Sequence, residues 1–179
     1  MSYSNAFVQK QLNKLNAGLT VDGVIGDMSL FWLKGLQYAG GLKTDGIYGA
    51  KTHAYLEKID NTKHKDTAHF HQYEFNCKHC GANPGIDINL IILLESIRFK
   101  FKRAIAITSG YRCYIHNKNV GGALNSYHTR AMAADIVVSG ISAAKVYSVV
   151  DKYNKNGGAG KYPNFVHADC RGYKSRWVG

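Results

Sequence analysis

Ser126-Tyr127-His128-Thr129-Arg130-Ala131-Met132-Ala133-Ala134-Asp135 and, further along, Phe165-Val166-His167-Ala168-Asp169 are the stretches on which the reading of this chain turns. Together they offer two imidazoles and a carboxylate. That is the ligand set of an open zinc site, in which three protein ligands leave the fourth position for water. A structural site would instead be closed by four Cys or His ligands. Asp135-Ile136-Val137-Val138 has the β-branched run of a strand, and Asn164 to Cys170 reads as another. On a strand, residues i and i+2 share a face, so His167 and Asp169 point the same way. The expectation is an α+β domain whose small, mainly antiparallel sheet carries the metal.

Working outward, Ala104-Ile105-Ala106-Ile107-Thr108 is a short strand that delivers Ser109-Gly110-Tyr111-Arg112 to the same region. Asp87 or Asn89 can cap a helix through Leu90, Leu93, Leu94 and Ile97 to about Lys100. Ser142, or Ser139 before it, can cap another through Ala144, Val146, Val149 and Val150 to Tyr153, after which Asn156-Gly157-Gly158-Ala159-Gly160 reads as a flexible loop. Arg112, planar and always charged, suits a carboxylate or a developing oxyanion, or a structural ion pair. Ser126 and Tyr127 can hydrogen-bond a substrate. Asp169 is either the carboxylate that moves the proton or the partner that orients a ligand imidazole.

Toward the N-terminus, Val21-Asp22-Gly23-Val24-Ile25-Gly26-Asp27-Met28-Ser29 recurs 23 residues later as Thr44-Asp45-Gly46-Ile47-Tyr48-Gly49-Ala50-Lys51-Thr52. Asp-Gly favours a turn, because Gly tolerates positive φ and Asp bonds the local backbone. Phe7, Leu12 and Leu15 suit a helix before the first turn. Leu30, Leu33, Leu36 and Gln37 follow it at helical spacing, as Tyr55, Leu56 and Ile59 follow the second. Each helix would be opened by Ser29 or Thr52, or by Asp27. The sequence therefore divides into a small all-α three-helix domain at 1–59, a polar linker at 60–69 and the sheet-bearing domain at 70–179.

Cys77, Cys80, Cys113 and Cys170 are the four cysteines. Cys77-Lys78-His79-Cys80-Gly81 has the spacing of a metal knuckle. If Arg112 and Asp169 face the site from neighbouring strands, alternation sends Cys113 and Cys170 to the other face, where they can complete a site of four thiolates; buried free thiols are the alternative. The net charge of +11, from 23 Lys and Arg against 12 Asp and Glu, favours an anionic partner. Nucleic acid and an anionic cell wall are both candidates; no basic run interleaved with stacking aromatics forms a clear nucleic-acid platform, and the cell wall is preferred because the other motifs point there. No stretch nears the roughly 20 apolar residues of a membrane span. Met1 to Lys10 has no apolar signal core, which reads as synthesis in the cytoplasm without a Sec-type export address.

Ser-x-His with an Asp seven positions on, and then a distant His-x-Asp, resembles the zinc peptidases of the D-alanyl-D-alanine carboxypeptidase type. That group includes VanY-like enzymes and many phage endolysins and shares its fold with hedgehog domains. Ser109 to Arg112 and His116-Asn117-Lys118-Asn119-Val120-Gly121-Gly122 match its upstream motif, so the likeness runs from about Phe70 to Trp177. It implies that His128, Asp135 and His167 bind zinc and that Arg112 orients substrate. Many relatives carry an acid three positions before the second histidine, where this chain has Asn164, and Asp169 is the best substitute for it. Ala131 stands where relatives usually have Gly. The N-terminal repeat resembles the three-helix peptidoglycan-binding domain: Asp-Gly-x-x-Gly-x-x-Thr is complete from Asp45 to Thr52, while Ser29 replaces the Thr in the first copy. The two resemblances together imply a monomeric, phage endolysin-like peptidase. It would act on bacterial peptidoglycan after release by a holin, or be an inactive wall binder that keeps the fold.

Overall fold

The computed structural model describes residues 3–60 and 66–179. Three helices come first: α1 (Asn5–Asn13), α2 (Asp27–Ala39) and α3 (Ala50–Asp60). After a 3-10 turn at Gln72–Phe75 come α4 (Ile88–Phe101), β1 (Ile105–Ser109) and α5 (Tyr114–Asn119). A second 3-10 turn, Tyr127–Arg130, leads into β2 (Ala133–Val138), followed by α6 (Ala143–Tyr153), β3 (Gly158–Lys161), β4 (Val166–Asp169) and β5 (Ser175–Val178). The protein is α+β. Its one sheet, among the described residues, has the order β1-β2-β4-β3-β5, antiparallel except for the β3–β5 pair at the edge.

The caps read from Asp87 and Ser142 are present: Asp87 Oδ1 accepts from Asn89 N at 2.8 Å and Ser142 Oγ from Lys145 N at 3.4 Å. Ser29 and Thr52 do not cap. Gly26 opens α2 without a side-chain bond, and both hydroxyl residues lie inside their helices and are buried. Each Asp-Gly turn is instead held by a glutamine. Gln9 Nε2 donates to Asp22 Oδ1 and Val24 O, and its Oε1 accepts from Gly23 N, at 2.7–2.9 Å. Gln37 repeats the pattern on Asp45, Ile47 O and Gly46 N at 2.9–3.0 Å. Gly23 and Gly46 both take φ +77°, the left-handed conformation the turn needs.

The three helices do not stand apart from the sheet-bearing part; their buried side chains run into one cluster with it. Phe31 stacks on Tyr153 of α6 with ring centroids 4.0 Å apart, and Trp32 Nε1 donates to Tyr153 O. Asp27 accepts from Lys152 Nζ and the Tyr153 hydroxyl. Packed against α2 on one side and the sheet on the other, α4 is buried from Leu90 to Ile97. Its Glu95, fully buried, accepts from Thr67 Oγ1, His69 N and the His69 ring. The end of the expected linker is thus bolted to the core, while residues 61–65 lie outside the described residues.

Close approach of α2 and α4 depends on Gly35. A Cβ there would lie 1.7 Å from Ser96 Oγ and 2.8 Å from Ser96 Cα, and the Ser96 hydroxyl is already bonded to Ile92 O. Ala is the better helix former by up to about 1 kcal/mol, but overpacking a rigid contact costs about 1–3 kcal/mol. Sterics should win: Gly35→Ala is expected to lower stability in urea unfolding, and a more stable variant would contradict the close approach.

Two strands were not legible in advance. In the glycine-rich 156–160 segment only Asn156 and Gly157 are turn; Gly158, Ala159 and Gly160 belong to β3. Its glycines allow tight packing, since a Cβ on Gly160 would meet the Trp177 indole at 2.5 Å and one on Gly158 would meet Asp169 Oδ2 at 2.2 Å. Arg176 secures β5 by donating to Asp151 Oδ1, Asp151 O, Gly157 O and Asn154 O.

Candidate metal centre

The 3-10 turn after Ser126 presents His128. Ser126 Oγ accepts from His128 N, and Ala131 closes the turn at φ +56°, the left-handed geometry for which relatives were expected to use Gly. Asp135 lies on β2 directly opposite His167 on β4, and the next same-face pair is Ala133 with Asp169. Three ligand atoms therefore converge: His128 Nε2 is 3.2 Å from Asp135 Oδ1, His167 Nδ1 is 3.0 Å from that same oxygen, and the two nitrogens are 3.1 Å apart.

Each outer nitrogen faces an acceptor. His128 Nδ1 lies 2.7 Å from Gly110 O and His167 Nε2 lies 2.9 Å from Asp169 Oδ2, both acceptors. With protons on those outer atoms, His128 Nε2 and His167 Nδ1 turn lone pairs toward each other and toward a carboxylate oxygen. Acceptors so close repel one another unless a cation or a shared proton lies between them, and, against the effect of burial, the Asp135 and Asp169 carboxylates raise the His167 pKa. Burial lowers the His128 pKa and favours its neutral, ligating form. A tetrahedral zinc with bonds of about 2.0–2.1 Å needs nitrogens about 3.3 Å apart, so the donor set fits with shifts of a few tenths of an ångström.

Arg112 is held between Ser109 Oγ, 2.8 Å from its Nε, and the second oxygen of Asp135, which accepts from its Nη2. It steadies the Asp135 carboxylate and also lines the cavity. Asp169 does not fit the role of proton carrier. Its side chain has no exposure. Oδ1 accepts from Gly158 N, Arg171 N and Arg171 Nε; Oδ2 accepts from His167 and Arg171 Nη2. No lone oxygen faces the cavity, so Asp169 orients His167. Burial alone would raise its pKa, but Arg171 and His167 hold the carboxyl well below the usual range.

The cavity has a volume of about 610 Å³. His128, Asp135 and His167 line it, with Ser126 and Tyr127 and with the aromatic side chains of Tyr162, Phe165 and Trp177. Trp177 lies 5.0 Å from the His167 ring and donates to the Tyr162 hydroxyl. Arg171, over the Tyr127 ring at 4.5 Å, adds a second cation that sequence reading missed. Asp135 is the one carboxylate lining the cavity among the described residues; Asn164 is exposed in the β3–β4 turn, off the lining.

The expected site of four thiolates does not assemble. Cys77, Cys80 and Cys113 come together, but Cys170 is buried elsewhere with its thiol against Met132 O. Strand alternation holds for Cys170, just past β4. It fails for Cys113, which caps α5 and belongs to no strand.

A family model described as Peptidase M15 matches residues 68–169. The chain is also similar to the probable peptidoglycan L,D-endopeptidase MepK of Haemophilus influenzae, 37% identical over 82 residues. That match takes in 42% of this chain and 43% of that protein, so it spans less than half of either. The family match covers more than half of the chain and includes His128, Asp135, His167 and Arg112: the chain belongs to the peptidase M15 family.

Proposed function

We propose that the chain is a zinc-dependent peptidase that cuts an amide bond in the stem peptide or cross-bridge of bacterial peptidoglycan. One observation carries the reading: two imidazole nitrogens and a carboxylate oxygen, all within 3.2 Å of one another, belong to residues that line an open cavity. Zinc held there would polarise the scissile carbonyl and lower the pKa of a bound water. The chain's own residues supply the rest. Arg112 and Arg171 give the cavity two fixed cations suited to the carboxylates of stem peptides. Ser126 and Tyr127 offer hydroxyls for the peptide backbone, and the aromatic side chains of Tyr162, Phe165 and Trp177 help to exclude water.

The resemblance implies D,D-carboxy- or endopeptidase or L-alanyl-D-glutamate endopeptidase specificity, and the name of the Haemophilus influenzae relative adds L,D cleavage. The N-terminal helices, with their paired glutamine-clamped turns, are proposed as a weak wall-binding module that raises local concentration. The net charge of +11 suits an anionic wall. Among the described residues no helix is long and apolar enough to cross a membrane. Monomeric action at the wall, after synthesis in the cytoplasm and holin-mediated release as a phage endolysin, completes the proposal.

A second reading, an inactive wall binder, draws on the lack of any cavity carboxylate besides Asp135 among the described residues. The test is incubation with insoluble peptidoglycan, before and after chelation and with zinc restored, followed by mass spectrometry of released peptides. Zinc-restored release of defined new termini is expected. Binding without cleavage on every peptidoglycan type would favour the second reading.

A further inference from the structure

The knuckle that includes Cys77 belongs to no part of the proposed chemistry, yet it is built as carefully as the metal centre. Gly81, at φ +72°, turns the chain so that its N–H reaches Cys77 O at 2.8 Å. This brings Cys80 back beside Cys77. The other half comes from the start of α5, where Cys113 Sγ caps the helix by accepting from His116 N at 3.4 Å. Cys113 N in turn donates to Cys77 Sγ at 3.3 Å. The three sulfurs lie within 4.8 Å of one another, and all three cysteines are free thiols. His116 Nδ1 stands 3.4 Å from Cys77 Sγ.

We infer that Cys77, Cys80, Cys113 and His116 bind a second zinc ion, structural and closed. The sequence pattern is Cys-x-x-Cys followed by Cys-x-x-His, two half-sites on separate segments. A tetrahedral zinc with Zn–S near 2.3 Å and Zn–N near 2.0–2.1 Å places S and N about 3.6 Å apart and two sulfurs about 3.8 Å apart. His116 Nδ1 and Cys77 Sγ, 3.4 Å apart, are near that value, and the three sulfurs, within 4.8 Å of one another, would close on the ion with His116 by shifts of about an ångström. Four protein ligands leave no open position, so the ion would stabilise rather than catalyse.

N–H donors converge on Cys77 Sγ, with Cys113 N at 3.3 Å, and the His116 ring faces the same sulfur. His79 Nδ1 is 3.5 Å from Cys113 Sγ, but His79 is exposed between the two knuckle cysteines, whereas His116 is fixed by the first turn of α5. The effect of the clamp is local and reaches the cavity. Phe75 O accepts from Tyr111 N, and Gly110 lies so close to Phe75 that a Cβ would meet its backbone at 2.5 Å. Gly110 O anchors His128, and Arg112, next to Cys113, anchors Asp135. Joining the knuckle to α5 thus fixes the segment that orients two of the three residues of the metal centre.

Metal analysis of the dialysed full-length protein tests this separately from peptidase activity. Two zinc equivalents are expected, with one remaining in His128→Ala and one lost in Cys80→Ser. Cobalt substitution of His128→Ala should give the intense sulfur-to-metal charge-transfer bands of three thiolates, a readout that needs no cysteine variant to fold. In the wild type, three of the four thiols should react with a disulfide reagent only after the metal is stripped. His116→Ala should weaken metal retention at least tenfold, whereas His79→Ala should not. Zinc wholly lost in His128→Ala, three thiols reacting at once in the native protein, or a disulfide among them would overturn the inference. Loss on His79→Ala with retention on His116→Ala would overturn the choice of fourth ligand.

Discussion

His128→Ala is expected to reduce peptidoglycan hydrolysis at least about a thousandfold, equivalent to about 4 kcal/mol in the barrier. The ring supplies one of the three donor atoms proposed for the ion, and among the described residues its Nε2 has only the other two of them as partners, at 3.1–3.2 Å. Two ligands do not fix an open tetrahedral site. The variant also loses the bond to Gly110 O, leaving a buried carbonyl unpaired at a cost of about 1–3 kcal/mol. Stability and chemistry must therefore be read separately. Cooperative thermal unfolding with one zinc equivalent lost and activity gone would assign the effect to the metal. Activity within tenfold of wild type would end the zinc-peptidase reading.

The three candidate ligands were legible because each lies in a short local pattern, and the β2–β4 register then sets Asp135 opposite His167. The Asp-Gly turns were legible for the same reason. What closes them was not, since Gln9 and Gln37 lie in the preceding helices and nothing local marks them as partners of Asp22 and Asp45. Asp169 shows the limit of periodicity. Sharing a face with His167 was read correctly, but whether that face opens on solvent or on Arg171 and Gly158 is decided by tertiary packing. β3 failed for the converse reason: glycine-rich sequence signals a loop, and only Trp177 and Asp169 packed against it explain why no side chain fits. Cys113 was assigned to a face by strand alternation although its segment is a helix cap. Its neighbours are Cys77 of the knuckle, 36 residues earlier in the chain, and His116 at the start of the 116–122 motif.

Asp169→Asn separates the two roles that sequence left open. As the orienting partner of His167, Asp169 acts through the ligand. The variant is expected to bind zinc 10–100-fold more weakly, the usual cost of losing such a partner. It should recover most of its activity at saturating zinc, with the pH dependence of kcat unchanged. A proton carrier would behave otherwise: activity would stay down at least about a hundredfold with zinc bound, and the acid limb of the pH profile would vanish. The same substitution strips the half-buried Arg171 of its counter-charge, at a cost below the about 3–5 kcal/mol of breaking a fully buried pair. Arg171→Met added to Asp169→Asn removes the orphaned charge, and the double variant should be more stable than Asp169→Asn alone. The sign with pH follows from the depressed carboxyl of Asp169. Its contribution is whole above the unfolded value of about 3.9 and is lost as pH falls below that value toward the folded pKa. Acid unfolding of the wild type should therefore steepen below about pH 4, while that of the double variant should not. A double variant less stable than Asp169→Asn, or as acid-sensitive as the wild type, would mean that the Asp169–Arg171 pair does not carry the packing of His167.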